Sequence, residues 1–154
     1  MTLRGWSLLL GVAGLLISLY LTIVHYAEGQ VTLVCPNVGF INCEEVTSSA
    51  ESMLGSVPVA LMGVIFFGIS VLGELLRRTR LQLAWTAVGL LFVFYLVYAQ
   101  MFVIGALCMW CTAVHVLTAA LFLIAVVEWT AEPVRSLPAT NGRTSRRRPP
   151  ASGH

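Results

Sequence analysis

The chain has 154 residues, of which 58% are hydrophobic and only 10% are charged, whereas about 25% of the residues in an ordinary soluble domain are charged. This composition excludes a water-soluble fold and indicates a polytopic membrane protein of one domain. The formal net charge of +2 comes from short runs of charge between long neutral stretches. Because no nucleic-acid-binding module accompanies the arginine-rich end, we do not expect nucleic-acid binding.

Three stretches without charged side chains predict four membrane spans. The stretches cover residues 5–27, 52–73 and 81–127. A span needs about 20 apolar residues to cross about 30 Å of hydrocarbon, so the third stretch holds two helices, with a break near residues 100–105. The predicted spans are residues 6–25, 57–73, 81–102 and 107–127.

The distribution of charge predicts the orientation of these spans. All nine arginines lie before span one, between spans two and three, or after span four, while the connection between spans one and two contains glutamates and no basic residue. The positive-inside rule then places both termini in the cytoplasm and the other two connections outside. Span one is too long for a cleaved signal peptide and has no suitable cleavage pattern. Residues 1–129 are the predicted membrane domain, and residues 130–154 are predicted to be a disordered, arginine-rich cytoplasmic tail.

All four cysteines fall on the predicted outer side. Cys35 and Cys43 lie in the first outer loop, and Cys108 and Cys111 lie at the outer start of span four. In a bacterial envelope or the endoplasmic reticulum lumen this side is oxidising, so thiols there are expected to pair or exchange.

The sequence Cys108-Met109-Trp110-Cys111 is a C-x-x-C pair in the first turn of a predicted helix. Side chains at i and i+3 share a helix face and can close a disulfide, and the helix N-terminus stabilises a thiolate, so the pair is predicted to be redox-active. A structural staple is the alternative. Because C-x-x-C supplies only two nearby ligands, no metal site is predicted.

The outer loop is predicted to contain a short helix. Asn42 and Glu45 form the pattern of an N-cap with a capping glutamate. The apolar residues that follow helical spacing are Val46, Ala50, Met53 and Leu54. We expect an amphipathic helix on the membrane surface, with Cys43 in its first turn. The Cys35 and Cys43 pair can be structural or labile; if the loop folds over the bundle, it brings Cys43 to Cys108.

Together these motifs resemble the vitamin K epoxide reductase family in its small bacterial form, without a fused thioredoxin-like domain. The resemblance covers about residues 17–121. It is carried by the following motifs in order: Leu-Tyr-Leu at 19–21, the C-x7-C loop with Ser48-Ser49 after it, Gly63 with Ile65-Phe66, and Cys108-x-x-Cys111.

The resemblance implies an all-α, four-helix bundle around a quinone, with the surface helix capping the pocket. It implies that Cys35 and Cys43 are the shuttle pair, that Cys108 receives their attack, and that Cys111 lies beside the quinone. Ser49 and His115 fall at positions near the bound quinone, His115 where vertebrate enzymes have a tyrosine. Val59 replaces the asparagine that holds the substrate carbonyl there, so a quinone is expected as substrate rather than vitamin K epoxide.

The function implied is that of a thiol:quinone oxidoreductase. It would reoxidise an extracytoplasmic thioredoxin-fold, DsbA-like oxidase and reduce ubiquinone, menaquinone or a vitamin K quinone. The alternative is a non-enzymatic tetraspan scaffold or adhesion protein with structural disulfides. For His115 the alternatives are a quinone or proton-relay role and a hydrogen bond to another helix.

Overall fold

The computed structural model describes residues 3–27, 34, 35, 39 and 41–135. Its long helices are α1 (Leu3–Tyr26), α3 (Val59–Leu75), α4 (Thr79–Tyr98) and α5 (Met109–Arg135). The short helix α2 (Cys43–Ser48) lies between α1 and α3, and a 3₁₀ turn at Ala50–Ser52 follows it. Strands β1 (Met53–Leu54) and β2 (Val57–Pro58) form an antiparallel hairpin that leads into α3.

The lengths and hydropathies of the helices support a multi-pass membrane protein. The three candidate spans are Leu3–Tyr26, Thr79–Ile104 and Met109–Ala131. Helix α3 is also apolar but shorter, with 17 residues, about 26 Å at 1.5 Å per residue. The count of four spans therefore stays a prediction.

The predicted break between spans three and four is a change of helix type that ends at a glycine. The last turn of α4 continues as a π-helical segment, Ala99–Ile104. Gly105 then adopts a left-handed conformation with φ of 73°, which glycine accepts because it has no Cβ atom. Helix α5 starts a few residues later and continues to Arg135, past the predicted domain boundary at residue 129. The rest of the predicted tail lies outside the described residues.

The helix of the outer loop starts where the sequence predicts and ends earlier. The Glu45 amide donates to the Asn42 side-chain oxygen at 3.2 Å, and the Asn42 side-chain amide donates to the Glu45 carboxylate at 3.0 Å. Helix α2 ends at Ser48, whereas the hydrophobic spacing predicts helix as far as Leu54. Its terminal hydroxyl groups bond to carbonyls of the preceding turn, a local alternative to continued helix.

Helices α1 and α3 approach closely because small residues line their interface. A Cβ atom added to Gly14 would collide with the Phe67 ring, and one added to Gly63 would lie 2.7 Å from the Ser18 hydroxyl oxygen. Such positions allow two helix backbones to pack tightly. At the ends of these helices that lie away from the cysteines, the Ser7 hydroxyl donates to the Glu74 carboxylate at 2.7 Å.

Candidate functional site

The outer loop carries a disulfide bond between Cys35 and Cys43, whose Cα atoms are 6.1 Å apart. Cys43 is the first residue of α2 and is completely buried. Cys35 is half-buried and packs against the same cluster of side chains. The two loop cysteines are therefore paired with each other, and whether their bond is structural or labile stays a prediction.

A backbone bridge brings this disulfide to the start of α5. Ile41 pairs with Leu107 in a parallel β-bridge, and the Asn42 amide donates to the Leu107 carbonyl at 3.0 Å. The residues that follow, Cys43 and Cys108, lie in one buried cluster, and both are fully inaccessible to solvent. The expected approach of Cys43 to Cys108 is thus present in the structure.

The C-x-x-C pair spans the start of α5, with Cys108 immediately before the helix and Cys111 in its first turn. Both thiols are free. The Cys111 amide donates to the Cys108 sulfur at 3.2 Å. The hydrogen bond from the Cys111 thiol, assisted by backbone amides, lowers the pKa of the Cys108 thiol, although burial opposes the shift. This arrangement favours a thiolate at Cys108 when the pair is reduced.

Cys111 also faces a large cavity that is lined by the helices and the hairpin. The cavity has a volume of about 470 Å³ and a mostly apolar lining. Its aromatic lining residues are Phe66, Phe67, Trp85 and Phe92. Its polar lining residues include Ser18, His25, Glu51, Ser52, His115 and Thr118. A cavity of this size and character falls in the range of small-molecule sites, about 300–1,000 Å³.

Helix α5 presents Cys111, His115 and Thr118 to this cavity. Their spacing of four and three residues places them on one helix face. His115 is only 8% exposed. Val59, which the resemblance places next to the substrate carbonyl, also lines the cavity.

Ser49 occupies a different place from the other predicted quinone neighbours. Its hydroxyl donates to the Val46 carbonyl at 2.8 Å, and among the described residues Ser49 is not part of the cavity lining, whereas Ser52 is. A contact between Ser49 and a quinone stays a prediction. Sequence reasoning did not single out Glu51, Ser52 or Thr118; only the i+7 spacing of Thr118 from Cys111 was available as a signal.

The phenylalanines of the helices fall into two groups. Phe66, Phe67 and Phe92 line the cavity, whereas Phe94 and Phe102 are 64% and 77% exposed on the outside of the bundle. Across the part of the chain that is described, no group of three or more His, Cys, Asp or Glu side chains could hold a metal ion.

Comparison with known proteins agrees with this geometry. No curated protein sequence matches the chain. Residues 6–126 match the profile of the vitamin K epoxide reductase family, a range that includes all four cysteines and all residues that line the cavity. The match covers well over half of the chain, and the chain belongs to the vitamin K epoxide reductase family.

Proposed function

We propose that this protein is a thiol:quinone oxidoreductase that oxidises an extracytoplasmic thioredoxin-fold partner of the DsbA-like kind and reduces a membrane quinone. Membership of the family supports an oxidoreductase linked to quinones. One observation carries the finer proposal: the four cysteines form a single cluster, and the last of them also lines the apolar cavity. A purely structural disulfide needs no second cysteine pair between itself and a cavity.

Electrons would enter at the loop disulfide. A partner thiolate attacks the Cys35 sulfur, the Cys35–Cys43 bond breaks, and Cys43 leaves as a thiolate. The second thiol of the partner then displaces Cys35, so that the partner departs with a disulfide in place of its two thiols. Each step exchanges one sulfur–sulfur bond for another, and the electron pair moves with the leaving thiolate.

Electrons would then pass to the C-x-x-C pair. With Cys108 and Cys111 joined as a disulfide, the Cys43 thiolate attacks Cys108, and Cys111 leaves as a thiolate. Cys35 then attacks Cys43, restores the loop disulfide and frees Cys108. The structure has the same bonding pattern as the product of these exchange steps, with Cys35–Cys43 joined and the two C-x-x-C thiols free.

The cavity fits a quinone ring and the first part of an apolar tail, because it is lined by aromatic and aliphatic side chains with few polar groups. A quinone bound there supplies an acceptor for two electrons and two protons. Cys111 holds its sulfur at the cavity wall, and His115, one turn further along α5, presents an imidazole that can hold or deliver a proton at a ring nitrogen. The side chains that line the cavity around both groups are mostly apolar.

A quinone-reduction assay with purified full-length protein and a reduced thioredoxin-fold protein tests the proposal. The parent protein should bleach ubiquinone, menaquinone or a vitamin K quinone, and Cys35→Ala and Cys111→Ala should each lower turnover at least roughly 100-fold, as expected for loss of an exchanging sulfur. Val116→Ala is the matched control, because Val116 lies on α5 but is 63% exposed on the outside of the bundle.

Two results would contradict the proposal. One is turnover by Cys111→Ala at the rate of the parent. The other is a parent protein that is inactive with all three quinones while its cysteines stay oxidised, which would favour the scaffold alternative.

A further inference from the structure

Among the loop residues that the structure describes, two hydrogen bonds of different kinds tie the disulfide loop to the C-x-x-C segment. On the downstream side, the Asn42 amide donates to the Leu107 carbonyl at 3.0 Å, a bond between two backbones. On the upstream side, the indole Nε1–H of Trp110 donates to the Val34 carbonyl at 2.9 Å. The upstream bond uses a side chain as donor, so it can open by a side-chain rotation while the downstream backbone pairing stays intact.

The upstream tie includes a second side chain. The Val34 amide donates to the Tyr20 hydroxyl at 3.4 Å, and the rings of Tyr20 and Trp110 contact each other with centroids 5.4 Å apart. Both backbone polar groups of Val34 are thus held by one pair of touching aromatic residues. The Val34 side chain is itself 72% exposed, so burial of this side chain does not hold the segment in place.

Each tie lies next to a different cysteine of the loop. Val34 precedes Cys35, and the Leu107 pairing immediately precedes Cys43. Opening the upstream tie would release the backbone next to Cys35, while Cys35 stays bonded to Cys43 and Cys43 stays beside Cys108.

We infer that Trp110 and Tyr20 form a releasable clamp on Val34. The clamp holds the backbone next to Cys35 in place and so controls the access of incoming thiols to Cys35. The inference rests on the proposed function in taking Cys35 as the entry point for electrons. Trp110 is therefore a positioning residue: it acts on the backbone next to a reacting sulfur. Its place between Cys108 and Cys111 builds the clamp into the segment that receives the electrons.

The first test measures how fast a small thiol reduces the loop disulfide. In a Cys108→Ala/Cys111→Ala background, dithiothreitol reduces Cys35–Cys43, each cysteine gains one electron and one proton, and dithiothreitol becomes a cyclic disulfide. Quenching with a maleimide of high mass reports the reduced fraction on a gel. Trp110→Phe should speed reduction about three- to tenfold, the factor that corresponds to one hydrogen bond of ordinary net strength. Tyr20→Phe should speed it less, because its bond is longer.

Matched substitutions at exposed sites on α1 are the controls for this assay. Trp6 and Tyr26 are 48% and 62% exposed, so Trp6→Phe and Tyr26→Phe should leave the reduction rate unchanged. If Trp110→Phe reacts within twofold of the background protein, there is no clamp and the inference is wrong.

The second test separates a local clamp from a general loosening of the protein. In a Cys35→Ala/Cys111→Ala background, diamide oxidises the Cys43 and Cys108 thiols to a disulfide and itself takes up two electrons and two protons. Trp110→Phe should leave this rate within twofold, because the Leu107 pairing remains. If Trp110→Phe changes the rate of Cys43–Cys108 disulfide formation as much as it changes the reduction rate in the first test, the effect is a general loosening and the inference is wrong. Neither test uses a quinone, so a failed clamp and a failed quinone-reductase proposal give different results.

Discussion

The sulfur of Cys108 is the point where the two cysteine pairs meet. It shares a buried cluster with Cys43 and accepts a hydrogen bond from the Cys111 amide at 3.2 Å. Burial alone would favour the neutral thiol, so the lowered pKa of Cys108 comes from the donors around it, the Cys111 thiol first. Such a sulfur is a better leaving group in disulfide exchange than an ordinary cysteine.

Removal of the Cys111 thiol should therefore raise the pKa of Cys108. In a reduced Cys35→Ala/Cys43→Ala background, thiolate absorbance near 240 nm should begin to rise at a pH below the range of an ordinary cysteine. A lowered pKa means that the thiolate persists to lower pH, so the additional Cys111→Ala change should move this first rise to higher pH. An unchanged onset in the triple variant would show that Cys111 does not stabilise the Cys108 thiolate.

His115 is the second residue whose chemistry can be tested alone. We expect His115→Leu to lower the turnover of quinone reduction at least about tenfold, because general acid–base groups contribute about 10²- to 10⁴-fold in enzymes. His115→Gln keeps a hydrogen-bonding group and should retain more activity than His115→Leu. The measurement is the maximal turnover rate at saturating quinone, with Val116→Leu as the control on an exposed face of α5. Equal activity of His115→Leu and the parent would leave His115 with a packing role only.

At the scale of elements, the sequence predicts starts of helices better than their ends. Asn42 and Glu45 specify the start of α2 through local hydrogen bonds, and Gly105 specifies the break before α5 through its left-handed backbone. The early end of α2 depends on hydroxyl bonds that compete with helical spacing, which a hydrophobic pattern does not report. The same pattern could not show which phenylalanines line a cavity, because a membrane helix is apolar on all its faces.

The cap of α2 should affect both stability and exchange. Asn42→Ala removes the acceptor for the Glu45 amide, which typically costs about 1 kcal/mol. We expect a lower apparent Tm in detergent and slower disulfide formation between Cys43 and Cys108 in the Cys35→Ala/Cys111→Ala background. Asn42→Asp keeps a capping oxygen, so it should restore most of the apparent Tm and most of the rate of disulfide formation. If Asn42→Asp behaves like Asn42→Ala, the cap does not position Cys43.

Substitutions at two glycines separate the effect of helix packing on stability from the effect of helix propensity. Gly14 faces the buried Phe67 ring, whereas an added Cβ at Gly68 meets nothing within 4 Å. Gly14→Ala should lower the free energy of unfolding by about 1–3 kcal/mol through overpacking. Gly68→Ala should leave it unchanged or raise it by up to about 1 kcal/mol, because alanine favours helix. Apparent Tm values in one detergent compare the two, and a larger loss for Gly68→Ala would contradict the packing of α1 on α3.

At the scale of the whole molecule, the cysteine cluster and the basic residues lie at opposite ends of the helices. The hairpin before α3 is beside the cavity and the cysteines, while Arg77 and Arg78 connect α3 to α4 at the other end. Exposed arginines at one end and buried cysteines at the other fit the proposed uptake of electrons from an oxidising compartment, because basic connections are retained in the cytoplasm.

This arrangement predicts opposite locations for the two connections. In a bacterial host, alkaline phosphatase fused after Gly55, in the hairpin, should be active, because the enzyme folds only in the oxidising compartment where its disulfides form. The same reporter fused after Arg78 should be inactive. Replacing Arg77, Arg78 and Arg80 together by glutamine should weaken this difference, since these arginines supply the positive charge of that connection. In the unaltered chain, activity after Arg78 with no activity after Gly55 would place the cysteine pairs in the cytoplasm, where a reducing environment would oppose the proposed oxidation of a partner. Activity of both fusions would show that α3 does not cross the membrane.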